Sequence, residues 1–249
     1  MPDATHPINY SPFKNLKEGK VVSVFSSSEH RNMSLHYGDT SESLNNRKSF
    51  LQELGIDYHH LICAKQIHES SVKCVKEEDR GRGALSYEAS VPDTDAFITD
   101  KKNLPLAIFT ADCLSVFLFD PKLPAIGLVH AGWRSTKEEI TAKSLLRMQK
   151  DFGSRIEDIY VGFGPLIRSC CYEVGEDFKK YFSDGLIMKE DRFYLDLIKV
   201  NKKQVLGLGV REENISDPQI CTSCRSQEFF SYRRQGKSCG RLMSVMMLW

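Results

Sequence analysis

Residues 106–134 read LAIFTADCLSVFLFDPKLPAIGLVHAGWR. Three apolar runs rich in β-branched and aromatic residues lie within this stretch, Leu106–Phe109, Cys113–Phe119 and Ala125–His130, parted by short turns, so three successive strands are expected. A helix is expected next, from Ser135 to about Lys150, because Ser135-x-x-Glu138 and Thr136-x-x-Glu139 both fit a capping box. Upstream, VVSVF at Val21–Phe25 reads as a strand, and Ser43 caps a helix through Leu54 that Gly55 ends. Leu61–Val75 reads as a strand and Glu77–Pro92 as a charged, glycine-bearing loop. Downstream, a strand is expected at Ile159–Gly162, helices near Gly175–Phe182 and Leu195–Leu206, and strands at Phe229–Arg233 and Arg241–Leu248. Elements in this mixed order do not build a strictly alternating doubly wound sheet. The expected fold is α/β of the α+β type: a single domain over residues 21–249 with mixed β-sheets flanked by helices, after a polar arm over residues 1–20 with Pro2, Pro7 and Pro12.

A chain of 249 residues hides about three quarters of its unfolded surface on folding, so no disulfide or metal is needed for stability alone. Lys+Arg 34 against Asp+Glu 33 leaves a net charge of +1, whereas a general nucleic-acid or membrane-surface binder would be more basic. No run approaches the roughly 20 apolar residues of a membrane helix, and MPDATHPINY lacks a basic and then apolar leader, so a cytoplasmic location is expected. No obligate protein partner is evident. The eight cysteines are expected as reduced thiols, since Cys170 and Cys171 are neighbours and cannot easily pair with each other.

Several familiar motifs fail on inspection. Gly236-Lys237-Ser238 ends like a phosphate-binding loop, but Ser231 stands in place of the first glycine and a hairpin turn between strands is the expected context. Gly207-x-Gly209 lacks the third glycine of a dinucleotide fingerprint, Glu212 standing there, and marks a helix end. Cys221-x-x-Cys224 has no second pair at zinc-finger spacing and reads as packed thiols. A zinc nucleobase deaminase signature fails twice, because His68 and Glu69 are adjacent and Ile220 precedes Cys221.

Leu44, Arg47, Leu51 and Leu54 recur at helical spacing, which sets a guanidinium inside an apolar stripe. Arg47 either reaches water or a buried carboxylate, or clamps an anionic ligand. His68, Cys113 and His130 each lie in or at the end of an apolar β-rich segment; strand alternation sets Gln66 beside His68 on one face, and His130 beside Ile126 and Leu128 on another. The plain account is packed side chains. The chemical account is zinc, since two imidazoles and one thiolate with a fourth position left to water make a catalytic rather than a closed structural site. His130-Ala131-Gly132-Trp133-Arg134 lies at a strand-to-helix junction, where free N–H groups and Arg134 favour a phosphate; a tight turn with a solvated arginine is the alternative.

These residues belong to a longer set: Asn32-Met33-Ser34, Gly38-Asp39, Asn46-Arg47, Gln66-Ile67-His68, Thr94-Asp95-Ala96, Thr99-Asp100, Thr110-Ala111-Asp112-Cys113 and His130-Ala131-Gly132-Trp133-Arg134. It continues through Gly164-Pro165, Cys171-Tyr172-Glu173-Val174-Gly175, Cys221-Thr222, Phe229-Phe230-Ser231-Tyr232-Arg233-Arg234 and Gly240-Arg241. On this set the chain resembles the multicopper polyphenol oxidoreductase, or laccase-like, family, whose members are regarded as zinc-containing purine nucleoside phosphorylases with adenosine deaminase activity. The resemblance implies a fold like that of bacterial toxin deamidases and a metal held by His68, Cys113 and His130. Departures fall at Ser27-Ser28, where the family often has a double glycine, and at Arg168-Ser169, where Gly-Pro commonly stands. They bear on loop shape and substrate preference.

The resemblance further implies phosphorolysis of adenosine, inosine and methylthioadenosine, with purine nucleosides and phosphate as the small-molecule partners. Asn32, Arg47, Gln66, Asp112 and Arg134 are the candidate substrate contacts or supports. Zinc is the expected cofactor, with copper able to replace it in vitro because divalent copper binds nitrogen and sulfur ligands more tightly. The rivals are an amidase or deamidase with Cys113 as nucleophile, a copper-dependent polyphenol oxidase, and a non-enzymatic metal- or nucleoside-binding protein. Seven histidines without a His-x-His pair are too few for a conventional laccase.

Overall fold

The structure, a computed structural model, describes residues 10–13 and 21–249. Strand β1 (Val21–Phe25) and helix α1 (Thr40–Glu53) come first, then two short strands, β2 (Ile62–Cys63) and β3 (Val72–Cys74). Next are β4 (Ala96–Thr99), β5 (Leu106–Thr110), β6 (Leu114–Asp120) and β7 (Ala125–Ala131), leading into helices α2 (Trp133–Lys137) and α3 (Ile140–Phe152). Beyond them lie β8 (Tyr160–Phe163), β9 (Glu173–Val174), β10 (Leu186–Lys189), β11 (Arg192–Leu195) and α4 (Leu197–Gly207). β12 (Ile215–Ser216), α5 (Tyr232–Gln235) and β13 (Leu242–Leu248) complete the described elements.

The strands form a six-stranded sheet in the order β12-β8-β6-β7-β4-β3, a four-stranded sheet in the order β1-β13-β5-β2, and a small sheet β10-β11-β9. The larger two are mixed: β12 with β8, β3 with β4 and β2 with β5 run parallel, and the other neighbours antiparallel. Single-residue alternation explains how they stack. Leu114, Val116 and Leu118 of β6 pack with Leu145 and Met148 of α3 and Val205 of α4. Phe117 and Phe119 point the other way, into Leu106, Ile108, Leu242 and Met246 of the smaller sheet. That sheet's far face, with Ala107, Met243 and Val245, meets Phe50 and Leu51 of α1. The result is four layers, helix–sheet–sheet–helix. A strand covered on both faces loses its polar alternation, so β6 reads as one apolar run. Each large apolar side chain buried this way contributes about 1.5–3 kcal/mol.

The mixed α/β single domain expected from the sequence is present, but several elements differ. Helix α1 starts earlier than Ser43: Asp39 caps it, its Oδ1 accepting from Glu42 N at 2.7 Å, and Ser43 is buried. The expected strand Leu61–Val75 is two short strands around a loop that carries Gln66 and His68, so those two share no strand face. The expected helix from Ser135 is broken by Glu139, whose φ of 59° is left-handed, and neither capping box forms. Ser135 instead donates to the carbonyls of His130 and Gly132. Phe229–Arg233 is no strand: Ser231 caps α5, so Gly236-Lys237-Ser238 follows a helix. Residues 176–180 form only a 3-10 turn, and Leu195 ends a strand before α4 begins. The expected N-terminal arm falls outside the described residues except for 10–13, where Tyr10 bridges Phe25 and Phe13 packs on Phe119. No helix among the described residues is long and apolar enough to cross a membrane.

Candidate functional site

Three chain segments converge at one wall of a cavity of about 700 Å³, within the range of roughly 300–1,000 Å³ that suits small molecules. His68 arrives on the loop after β2, Cys113 on the turn between β5 and β6, and His130 near the end of β7. Each offers one donor atom, and the three lie within 4.8 Å of one another. The imidazole rings meet edge to face, 4.7 Å between centroids. Gly132 lies over this group. A β-carbon there would stand 3.2 Å from Cys113 Sγ and 3.4 Å from His68 Cδ2, so a side chain would crowd both donors.

Two of these turns carry backbone strain. His68 has φ 62° and Asp112, beside Cys113, has φ 87°, conformations that cost a non-glycine residue about 1–3 kcal/mol unless the surroundings enforce them. Asp95 enforces the first. Fully buried, its carboxylate accepts the N–H groups of Ile67 at 3.2 Å, His68 at 3.0 Å and Glu69 at 2.9 Å, and the Nδ1 of His130 at 2.7 Å. One carboxylate thus shapes the His68 loop and orients the His130 ring, leaving its Nε2 for Cys113. Asp112 is fixed from the other end of the chain by Thr222 Oγ1 at 2.6 Å, Ser231 Oγ at 2.9 Å and Arg233 N at 2.7 Å.

Electrostatics follow from this placement. Burial works against a charged Cys113, but the neighbouring His130 and His68 outweigh it and pull the thiol down to about 6. Burial likewise disfavours a charged His130, and the Cys113 thiolate and Asp95 overcome it, raising the imidazole to about 9. Asp95 is held below the usual carboxylate range against its burial by His130 and the loop N–H groups. A half-buried thiolate between two imidazoles is a metal-affine donor set.

The remaining candidates take different parts. Gln66 holds the His68 loop to β5 through both amide ends, donating to Phe109 O at 3.0 Å and accepting from Phe109 N at 2.8 Å. Asn32 does not line the cavity: its amide bonds to Ser34 O, Tyr37 O, Ser43 Oγ, Ser34 N and Arg241 N, which shapes the cavity-wall loop rather than presenting a substrate contact. Arg47 is buried and, among the described residues, meets no carboxylate. Its Nε donates to Met33 O at 2.7 Å, one terminal nitrogen donates to Gly83 O and Ala84 O, and the group lies over the Phe109 ring. Its other terminal nitrogen makes no hydrogen bond among the described residues, and Arg47 lines the cavity. Arg134 also lines it, stacked on Trp133 at 4.3 Å, and among the described residues its guanidinium has no hydrogen-bonded partner. The one-turn helix it sits on carries little dipole, contrary to the expectation of a long helix starting there.

Asp95 has no role legible in the sequence beyond its place in a motif; its partners stand 26 to 35 residues away, so no local spacing marks it. An aromatic wall was missed as well. His36 stacks on Tyr87 at 4.3 Å and meets Tyr37 edge-on at 4.5 Å, all three lining the cavity.

Residues 17–249 match the family model described as multi-copper polyphenol oxidoreductase laccase. The chain belongs to this family. A purine nucleoside phosphorylase, YlmD, of Geobacillus stearothermophilus is 32% identical over 225 residues, 86% of this chain and 82% of that protein. A protein named adenosine deaminase RL5, from an unknown prokaryotic organism, is 29% identical over 212 residues, 82% of this chain and 80% of that one. The crystal structure of the Bacillus licheniformis hypothetical protein YfiH shares the fold with a TM-score of 0.88 at 31% identity, covering 96% of this chain and 100% of that chain. This family member's other described histidines are dispersed: His30 against Phe50, His36 in the aromatic wall, His59 and His60 beside Asp57. Among the described residues, the only donor group with two imidazoles is that of His68 and His130.

Proposed function

We propose that this chain is a purine nucleoside phosphorylase that cleaves adenosine, inosine and methylthioadenosine with phosphate, with adenosine deamination as a side activity. The observation that carries the proposal is the convergence of His68, Cys113 and His130 within 4.8 Å at the wall of a cavity that also holds aromatic rings and an unpartnered guanidinium. The donor set fits zinc, which takes nitrogen and sulfur ligands tetrahedrally and keeps an open position when only three come from the protein. When bound, zinc supplies Lewis acidity beside the substrate, and deamination at purine C6 draws on the same property.

The chain's own residues supply the rest. In phosphorolysis a phosphate oxygen bonds to the anomeric carbon as the glycosidic C–N bond breaks, and its electron pair leaves with the purine. Arg134 holds the phosphate, since a guanidinium matches its oxygens in pairs. The free nitrogen of Arg47 adds a second donor from α1. The His36–Tyr87 and Tyr37 rings offer flat faces to the purine. Asp95 keeps the proton of His130 on Nδ1, so Nε2 stays a donor atom for metal.

A second reading, a Cys113-dependent amidase or deamidase, is favoured by the depressed thiol and the raised His130. The two are separated by products and metal content. Protein of known zinc content incubated with inosine and phosphate should yield hypoxanthine and ribose 1-phosphate. Free ribose would mean hydrolysis instead. Zinc-free protein whose Cys113 is rapidly alkylated at neutral pH, and which turns over an amide, would replace this proposal with the nucleophile.

A further inference from the structure

A second group of donor atoms lies apart from the His68, Cys113 and His130 group. The segment after β8 carries the neighbours Cys170 and Cys171, and the segment before α5 carries Cys221-x-x-Cys224. A parallel bridge between Leu166 and Cys221 brings the two together, with Thr222 N donating to Leu166 O at 2.9 Å. All four sulfurs then fall within 4.8 Å of one another, and Cys224 Sγ stands 3.5 Å from that of Cys170 and 3.4 Å from that of Cys171.

Apolar packing does not account for this convergence. A lone buried cysteine is an ordinary small hydrophobe. Here Cys170 and Cys224 are exposed, Cys171 is half-buried and only Cys221 is buried. Tetrahedral zinc with Zn–S bonds of about 2.3 Å separates its sulfurs by about 3.8 Å, a value bracketed by the two measured separations and the 4.8 Å bound. The Arg168 N–H points at Cys221 Sγ from 3.5 Å, as backbone donors do toward sulfur carrying negative charge. Four soft sulfur donors with no place left for water make a closed, structural set.

We propose that Cys170, Cys171, Cys221 and Cys224 hold a second zinc ion with a structural role. It clips the segment running into β9 to the segment running into α5. Both carry cavity wall: Tyr172 and Glu173 follow the first cysteine pair, and Arg233 lies beyond the second, its guanidinium donating to Glu173 O at 2.8 Å. The ion thereby fixes one side of the substrate cavity without touching substrate. This inference does not depend on the phosphorylase proposal.

Metal counting by mass spectrometry tests it, on protein purified under reducing conditions without chelator. Wild type should carry two zinc ions per chain, and His68→Ala/His130→Ala and Cys170→Ser/Cys224→Ser one each. The histidine variant, reloaded with cobalt, should show intense sulfur-to-cobalt charge-transfer absorption, and this decides the matter even if the cysteine variant does not fold. A histidine variant that holds no zinc and gives no such absorption overturns the proposal. So does a disulfide joining two of the four cysteines in the purified protein, seen by thiol counting. Loss of the His68-side ion alone would leave the cysteine-bound ion in place, so failure of either site is read separately.

Discussion

At the cavity wall, two imidazoles and one sulfur meet on strained loops, oriented by a buried carboxylate; near Leu166, four sulfurs meet at the surface on segments joined by a plain backbone bridge. As proposed zinc centres, the first group is short of one ligand and faces a cavity, while the second has four donors and faces solvent. The contrast teaches what each requires. A centre that must leave room for substrate needs outside help to hold its ligands, which Asp95, Asp112 and Gln66 provide through backbone hydrogen bonds. A centre that only joins two segments is held by its own ligands.

The largest expected effect breaks the open centre while sparing the closed one. Cys113→Ala should lower the zinc content by one ion and remove several kcal/mol of charge stabilisation, on the order of a thousandfold in phosphorolysis. Metal analysis and turnover of inosine check it; full turnover by this variant would remove the basis for the proposed centre. An intermediate effect is expected from Asp95→Asn, which keeps size but loses the charge that orients His130 and the His68 loop. Zinc affinity at the open centre should fall by about 10- to 100-fold, measured by chelator competition, with the cysteine-bound ion unaffected. Equal weakening of both ions would mean general unfolding rather than lost orientation.

The smallest effect concerns protons, best measured with Cys170→Ser/Cys224→Ser protein so that the open centre alone binds. Between pH of about 6 and about 9, the metal-free centre carries Cys113 as thiolate and His130 as imidazolium. Zinc requires the thiolate and a neutral imidazole, so binding in this window should release about one proton, from His130. Below about 6 the thiol is protonated too and release should rise further; above about 9 it should fall toward zero. Calorimetry in buffers of differing ionisation enthalpy reads the count, and a value of zero at neutral pH would contradict the ion pair.

Much of the scaffold is legible in the sequence because it rests on local apolar runs. β6, β7, β1 and β13 are such runs, and α1 follows from its spacing apart from its cap. The missed elements draw their stability from distant partners. AFIT at Ala96–Thr99 is short, and becomes a strand because β7 and β3 flank it. FFSYRR looks extended by composition, yet Ser231 starts a helical turn while its hydroxyl also donates to Asp112, 119 residues back in the chain. The meeting of His68, Cys113 and His130 is legible through the family motifs, whereas the work of Asp95 and the meeting of two cysteine pairs depend on tertiary contacts that no spacing rule encodes.

β13 lies between β1 and β5, so the smaller sheet has no middle until residues 242–248 are available. A nascent chain that has emerged only as far as Cys239 possesses every proposed ligand of both centres, yet β1 lacks its neighbour in the sheet and β5 has only the two-residue β2 to pair with. Folding of this half therefore waits on translation of the distal segment, with pairings such as Val24 to Val245 closing loops of more than two hundred residues. Long-range closures of this kind are slow and leave strand edges open meanwhile. Prematurely released chains should accordingly be prey for proteases rather than weakened enzymes.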